Sequence, residues 1–245
     1  MDNSVYVGLS KQLVLQRQFD IIANNIANAD TSGFKVESLA EAEDPQQPAF
    51  TLGGPEPVKF VMPNGLVRDF GQGALRKTDS PFDVALDGQG FFQVQTPQGP
   101  RYTRDGRFRM DDTGKLVTEK GQALLDDGGG EITLDPTKGE PSISPDGIVS
   151  QQGLRIGKIG VVTFANLSTL EKVGDNLMQN TSNQTPTPAT DVKVRQGMLE
   201  GSNVNPILEM TRMIEVSRAY EQMAKMIDTQ GDLSSQAIQT LGKAN

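Results

Sequence analysis

Three hydrophobic patterns follow one another along the chain, and each predicts a different element. Near the N-terminus Leu15, Phe19, Ile22 and Ile26 recur at spacings of four, three and four, which lays one apolar stripe along a helix. Gly33 is expected to end that helix. Between Gly71 and Phe164 the period changes. Short runs such as Phe82-Val84-Leu86, Phe92-Val94 and Phe108-Met110 alternate with polar neighbours and are separated by turn signals, as an all-β sandwich or barrel requires. Asp87-Gly88, Asp105-Gly106, Asp127-Gly128 and Asp146-Gly147 each offer the positive φ of a tight hairpin turn. The third pattern opens at Asn205-Pro206, where asparagine caps a helix and proline takes its first position. From there Met213, Val216, Tyr220, Met223 and Ile227 step by three and four, and Ala237 and Leu241 resume the frame, which reads as a coiled-coil seam. The helix has room for nearly forty residues, about 55 Å at the usual rise.

These patterns divide the chain into an N-terminal helix over 1–35, an extended connector over 36–70, an all-β domain over 71–165, a returning extended segment over 166–204 and a C-terminal helix over 205–245. The fold class is α+β, with the terminal helices pairing as a coiled-coil layer and the all-β domain inserted between them. The connector is broken by Asp44-Pro45, Gly53-Gly54-Pro55 and Pro63-Asn64-Gly65. Phe50, Leu52, Val58, Phe60 and Val61 make it too apolar for a solvated linker, so it is expected to lie as a strap against the β domain or a neighbour. In the returning segment Asn166 to Glu171 reads as a helical turn.

Composition removes most chemistry. With no cysteine and no histidine among 245 residues, disulfides, thiolate nucleophiles, imidazole bases and the usual zinc sites are excluded. A net charge of -8 without a basic cluster argues against nucleic acid. No apolar run is long enough for a membrane span, and the N-terminus lacks the basic and apolar regions of a signal peptide, which by itself points to the cytoplasm.

The remaining candidates have local readings. Gly88-Gln89-Gly90 begins like a dinucleotide loop, but Gln93 stands at the third glycine position before a strand-like segment, so a hairpin is expected. Asp111-Asp112 and Asp126-Asp127 place carboxylates side by side, as a metal or a glycosidase requires. Each also precedes a glycine at a turn, where aspartate serves the backbone. Arg104, Asp105, Arg107 and Arg109 read as a charged solvent face. No catalytic, cofactor-binding or metal residue is assigned.

The helix end ANNIANADTSGFK, Ala23 to Lys35, is the least ordinary stretch. Asn24, Asn25 and Asn28 crowd its last turns although asparagine costs roughly 0.6 kcal/mol against alanine in a helix. The amides either cap the chain into the turn at Asp30 to Gly33, or pack against neighbouring helices, Asn24 and Asn28 sharing one face. With the opening MDNSVYVGLSKQ, this stretch closely resembles the N-terminus of bacterial flagellar rod and hook proteins. Two further blocks agree, Thr78 to Phe108 and Leu199 to Ile227, so that the resemblance covers both ends and the middle. The opening Met1 to Tyr6 is more similar to a proximal-rod than to a distal-rod member.

The resemblance implies a structural subunit of the flagellar basal-body rod and no enzyme. It implies a layer of terminal helices lining a tube, export through the flagellar type III apparatus without a cleaved signal, and a place in the periplasmic rod. Implied partners are copies of itself, the proximal-rod and distal-rod proteins and the export apparatus, with no small-molecule substrate. Two helices alone cannot enclose stripes this wide, so self-association follows from the pattern as well. The expected assembly interface is Val5, Leu9, Leu15, Phe19, Ile22, Asn24, Asn25, Ile26 and Asn28 at one end, with Ile207, Met210, Met213, Val216, Tyr220, Met223 and Ile227 at the other. A distal-rod subunit is the alternative within the family, and an all-β carbohydrate-active enzyme using paired aspartates the alternative outside it.

Overall fold

The computed structural model describes residues 3–43, 61–182 and 184–242, with the side chains of 6–40, 65–182, 184–232 and 236. The chain is α+β and separates into two compact units. One holds residues 1–27, 37–68 and 205–245, and the other 28–36 and 69–204.

The first unit contains helix α1 (Asn3–Ala27), helix α2 (Pro206–Gly242) and the antiparallel strands β1 (Glu37–Glu43) and β2 (Val61–Arg68). Helix α2 starts where the sequence predicts. The Asn205 side-chain oxygen accepts from the backbone N–H of Ile207 and Leu208, at 3.2 and 3.3 Å, while Pro206 occupies the position whose N–H would have no partner. Helix α1, in contrast, stops at Ala27, well before Gly33. The backbone N–H of Thr31 bonds the Asn28 carbonyl and its hydroxyl bonds the Asn28 side chain, which turns the chain away early. Gly33 has a positive φ of 70°, but its role lies in the second unit, where its N–H donates to the Glu200 carbonyl. The connector is partly a hairpin: β1 and β2 pair from Glu37↔Arg68 to Glu43↔Val61 with a register shift near Ala40. Phe50, Leu52, Val58 and Phe60, expected to make it a strap, lie outside the described residues, as does the side chain of Val61.

The second unit is built on an antiparallel sheet whose neighbours run Leu170–Lys172, Leu177–Asn180, Gly99–Thr103, Phe91–Thr96, Ala123–Leu124, Leu116–Thr118 and Phe108–Met110. Strand alternation assigns its interior. Phe92 and Val94 point into a cluster with Phe108, Leu116, Leu124 and Val149, whereas Phe91 points into a second cluster with Tyr102, Phe164 and Leu170. Both faces of this strand are therefore buried, which explains the adjacent phenylalanines. Full burial of each such side chain contributes roughly 2 kcal/mol.

Residues 166–204, expected as an extended return, instead complete the unit. Leu167–Thr169 is the predicted helical turn, capped by Asn166. Lys193–Gln196 then pairs with Val84–Asp87, burying Val194, and Met198–Glu200 pairs with Leu75–Lys77.

Of the four Asp-Gly pairs, Gly88 and Gly147 have positive φ, 123° and 81°. Gly147 turns a true hairpin between Ser142–Ile143 and Ile148–Gln151. The Gly88 turn is no hairpin, because Val84–Asp87 and Phe91–Thr96 pair with other strands. Gly106 is small for another reason: a Cβ there would stand 1.6 Å from the Val84 carbonyl oxygen. The arginine cluster also departs from a uniform solvent face. Arg107 pairs with Asp105 through two bonds of 3.0 and 2.7 Å, and Arg109 is exposed, but Arg104 is 5% exposed and belongs to the interior.

Candidate assembly surface

Helices α1 and α2 pack antiparallel. Gly8 of α1 faces Ile227 and Met223, Phe19 and Tyr220 line one groove, and Asn25 bonds Glu209, so positions rise along one helix as they fall along the other. Gly8 is buried, and a Cβ there would sit 3.1 Å from Ile227 Cγ1, so the absent side chain sets how closely the helices approach. From Gly8 the buried line continues through Leu15 and Ile22 at intervals of seven, flanked by Val14.

The line closes on Asn25, which is 1% exposed. Its side-chain nitrogen donates to the Glu37 carbonyl at 2.8 Å and to Glu209 Oε2 at 2.9 Å, and its oxygen accepts from the Glu37 N–H at 3.0 Å. The amide thus treats Glu37 as a strand treats its neighbour, and spends its second N–H on the first turn of α2. Glu209 is itself buried and also accepts from Arg212 at 2.7 Å. Three chain segments are joined at one side chain, through both of its N–H groups and its carbonyl oxygen. That is a use inside the subunit for the helix-breaking cost of this asparagine. Asn28 serves the turn at Thr31, and Asn24 lies on the exposed side of α1.

The other expected interface residues divide by exposure. Leu15 and Ile22 are buried between the helices; Ile26, Met213, Val216, Met223 and Ile227 are partly covered; Leu9, Phe19, Ile207, Met210 and Tyr220 are exposed. Val5 lies in α1, but its side chain is outside those described, as are those of Ala237 and Leu241 in α2. Leu13, which the four-three-four stripe passes over, is 60% exposed, and Ile207 is 79% exposed. Tyr6, Leu208, Ile214 and Met226 join this outer apolar surface. Their signal in the sequence was the excess of apolar positions beyond one seam. Phe19 and Tyr220, with Leu15 and Val216, also edge a groove of about 350 Å³. Large apolar side chains on both helices remain facing solvent, more than isolated surface hydrophobes amount to.

The paired aspartates serve turns. Asp111 accepts from the Thr113 N–H and hydroxyl and the Lys115 N–H, and Asp126 from the N–H groups of Gly128 and Gly130. The Thr113 hydroxyl, followed by the backbone bonds from Lys115 and Thr113, holds the Asp111 carboxyl below its ordinary value. No group of three or more acidic side chains among the described residues is placed to hold a metal, and no described helix is long and apolar enough to cross a membrane.

Known proteins match the chain in three places. Residues 6–35 match the flagella basal body rod protein family, 85–151 the D1 domain of the flagellar hook protein FlgE/F/G family, and 195–240 the C-terminal region of the flagellar basal body rod FlgEFG family. The flagellar basal-body rod protein FlgF of Caulobacter vibrioides is 54% identical over 245 residues, covering 100% of both chains. The chain belongs to the FlgF family of flagellar basal-body rod proteins. FlgF of Mesorhizobium japonicum is 39% identical over 99% of each chain, and the rod protein FlgG of Bacillus subtilis 32% identical over 97% of this chain and 98% of its own. As a FlgF-family member the chain is a structural subunit of the flagellar basal body and not an enzyme, which removes the carbohydrate-active reading. The first and last matched stretches hold all but Val5 of the residues in the expected interface.

Proposed function

We propose that the chain is a proximal-rod subunit that assembles through α1 and α2 with copies of itself and with neighbouring proximal-rod and distal-rod proteins into a tubular drive shaft. The observation that carries this reading is the outer apolar surface on both helices, from Leu13 to Ile207. Packed against helices of other subunits along heptad seams, that surface would leave water and couple each subunit rigidly to the next. A stack of such helices transmits torque because close-packed side chains resist shear. Contacts between unlike surfaces propagate as an open helix when rotation does not close, which suits a shaft. The subunit reaches the periplasm through the flagellar type III export apparatus without a cleaved signal, consistent with a cysteine-free chain that needs no oxidative folding.

The test is direct capture of each rod protein, and of a differently tagged copy, on the purified chain and on variants Ile207→Asp and Leu13→Asp. Both variants should lose capture and swimming while the β unit keeps its melting transition. Capture unchanged in both would remove the outer surface from the interface. The distal-rod reading has its own support in the FlgG relatives, and preferential capture of distal-rod neighbours would favour it.

A further inference from the structure

The second unit buries three charges in one cluster. Glu200 is 1% exposed, and Lys35 and Arg104 are nearly as deep. Lys35 Nζ donates to Glu200 Oε1 at 2.5 Å and to the Gly71 carbonyl at 2.8 Å. Arg104 donates to Glu200 Oε2 at 3.0 Å and to the Gly88 carbonyl at 2.8 Å. The Gly73 N–H completes the carboxylate at 2.9 Å. Burial pushes both cations below their ordinary values and Glu200 opposes it in each case, with a weaker attraction on Lys35 from Asp69.

The residues come from three distant parts of the chain. Lys35 stands on the segment leaving α1, Arg104 follows the strand Gly99–Thr103, and Glu200 ends the strand Met198–Glu200. Asn203 ties the same segments again: its side chain accepts from the Val36 N–H at 2.8 Å and donates to the carbonyls of Asp69 and Gly71 at 2.9 and 3.2 Å.

We infer that Glu200 makes closure of this second, β-sheet unit conditional on the returning segment, residues 193–204. Without its carboxylate the cluster holds two buried cations and no bonded anion, a state strongly disfavoured in a low-dielectric interior. A chain whose residues beyond about 192 are not yet available therefore keeps the unit open, although most of its strands are already present. When that segment arrives it adds the strand Lys193–Gln196, covers the core with Val194 and seats the anion. The β unit closes as a whole once residues 193–204 are in place. This device is independent of how the helices assemble.

The experiment is amide hydrogen exchange on three full-length variants, Glu200→Gln, Lys35→Met and the two combined. Glu200→Gln should speed exchange by at least about a hundredfold throughout the β unit, including the strand Leu116–Thr118, three places along the sheet from Gly99–Thr103. Adding Lys35→Met returns the cluster to a single cation and should restore at least tenfold of that protection. A combined variant that accumulates as folded protein while Glu200→Gln alone does not reads the same way. Loss confined to 198–204, no loss, or a combined variant no better protected than Glu200→Gln would each overturn the inference.

Discussion

The side-chain amide of Asn25 donates to the Glu209 carboxylate at 2.9 Å, joining residues 184 positions apart. Together with its two bonds to Glu37, this makes one asparagine the point where the end of α1, the start of β1 and the first turn of α2 meet. Replacing Asn25 by alanine should weaken docking of the helices by roughly 2–4 kcal/mol, because Glu209 and the Glu37 backbone lose buried partners. The measurement is helicity near 222 nm, at concentrations where the parent chain is helical. Asn25→Asp should do worse, since it puts a second carboxylate beside Glu209.

Gly8 separates propensity from packing. Gly8→Ala gains roughly 1 kcal/mol of helix propensity but presses a methyl on Ile227 at 3.1 Å, and the two effects should nearly cancel. Gly8→Leu has no such balance and should separate α1 from α2, abolishing swimming. A motile Gly8→Leu strain would show that the close approach is dispensable.

Asn24→Ala combined with Asn28→Ala tests the amides outside the Asn25 bracket. Rod yield should fall, at roughly 1–3 kcal/mol for each lost intersubunit pairing, while the β unit melts nearly as before. Normal rods from this strain would assign Asn28 to its turn with Thr31 alone.

In dilute solution the two helices, Asn3–Ala27 and Pro206–Gly242, should be largely unfolded, because helices that leave wide apolar faces in water depend on a packed partner. Exchange measured on a verified monomer should be fast along Asn3–Ala27 and Pro206–Gly242 and slow in the β unit. Slow exchange along both helices would mean that their mutual packing suffices.

Asp111 should titrate below the ordinary aspartate value of 3.8, since Thr113 and Lys115 bond the charged form. Its folded pKa is depressed, so its contribution to stability is present above 3.8 and is lost as pH falls through the folded value. Carbon-detected NMR of the carboxyl group reads the midpoint directly, and Thr113→Val should move it back up.

Much of this architecture was legible in residue order. Asn205-Pro206 marks the start of α2 because capping chemistry is local, and the β strands of the middle show their inward alternation for the same reason. What escaped depended on partners far away. Arg104 looks like a surface residue beside Asp105 and Arg107 until Glu200, 96 positions later, is placed against it. Asn25 could not be told from Asn24 because the buried line of α1 begins at Gly8, which no hydrophobic count registers. The hairpin of β1 and β2 hides in a stretch whose prolines and glycines argue for irregular chain.

The antiparallel, in-step packing of the helices has a practical result for anyone locating this subunit in a cell. The first turn of α1 and the last turns of α2 come out at the same end of the pair, so a fluorescent or affinity label fused at either terminus lands among the same contacts. The turn at Gln152-Gly153 is the better port. Both residues have positive φ, 49° and 79°, between the paired strands Ile148–Gln151 and Leu154–Lys158, and nothing lies within 4 Å of where a Gly153 Cβ would be. A short epitope inserted there should leave both the helices and the buried charge cluster untouched, and let the subunit be seen without being silenced.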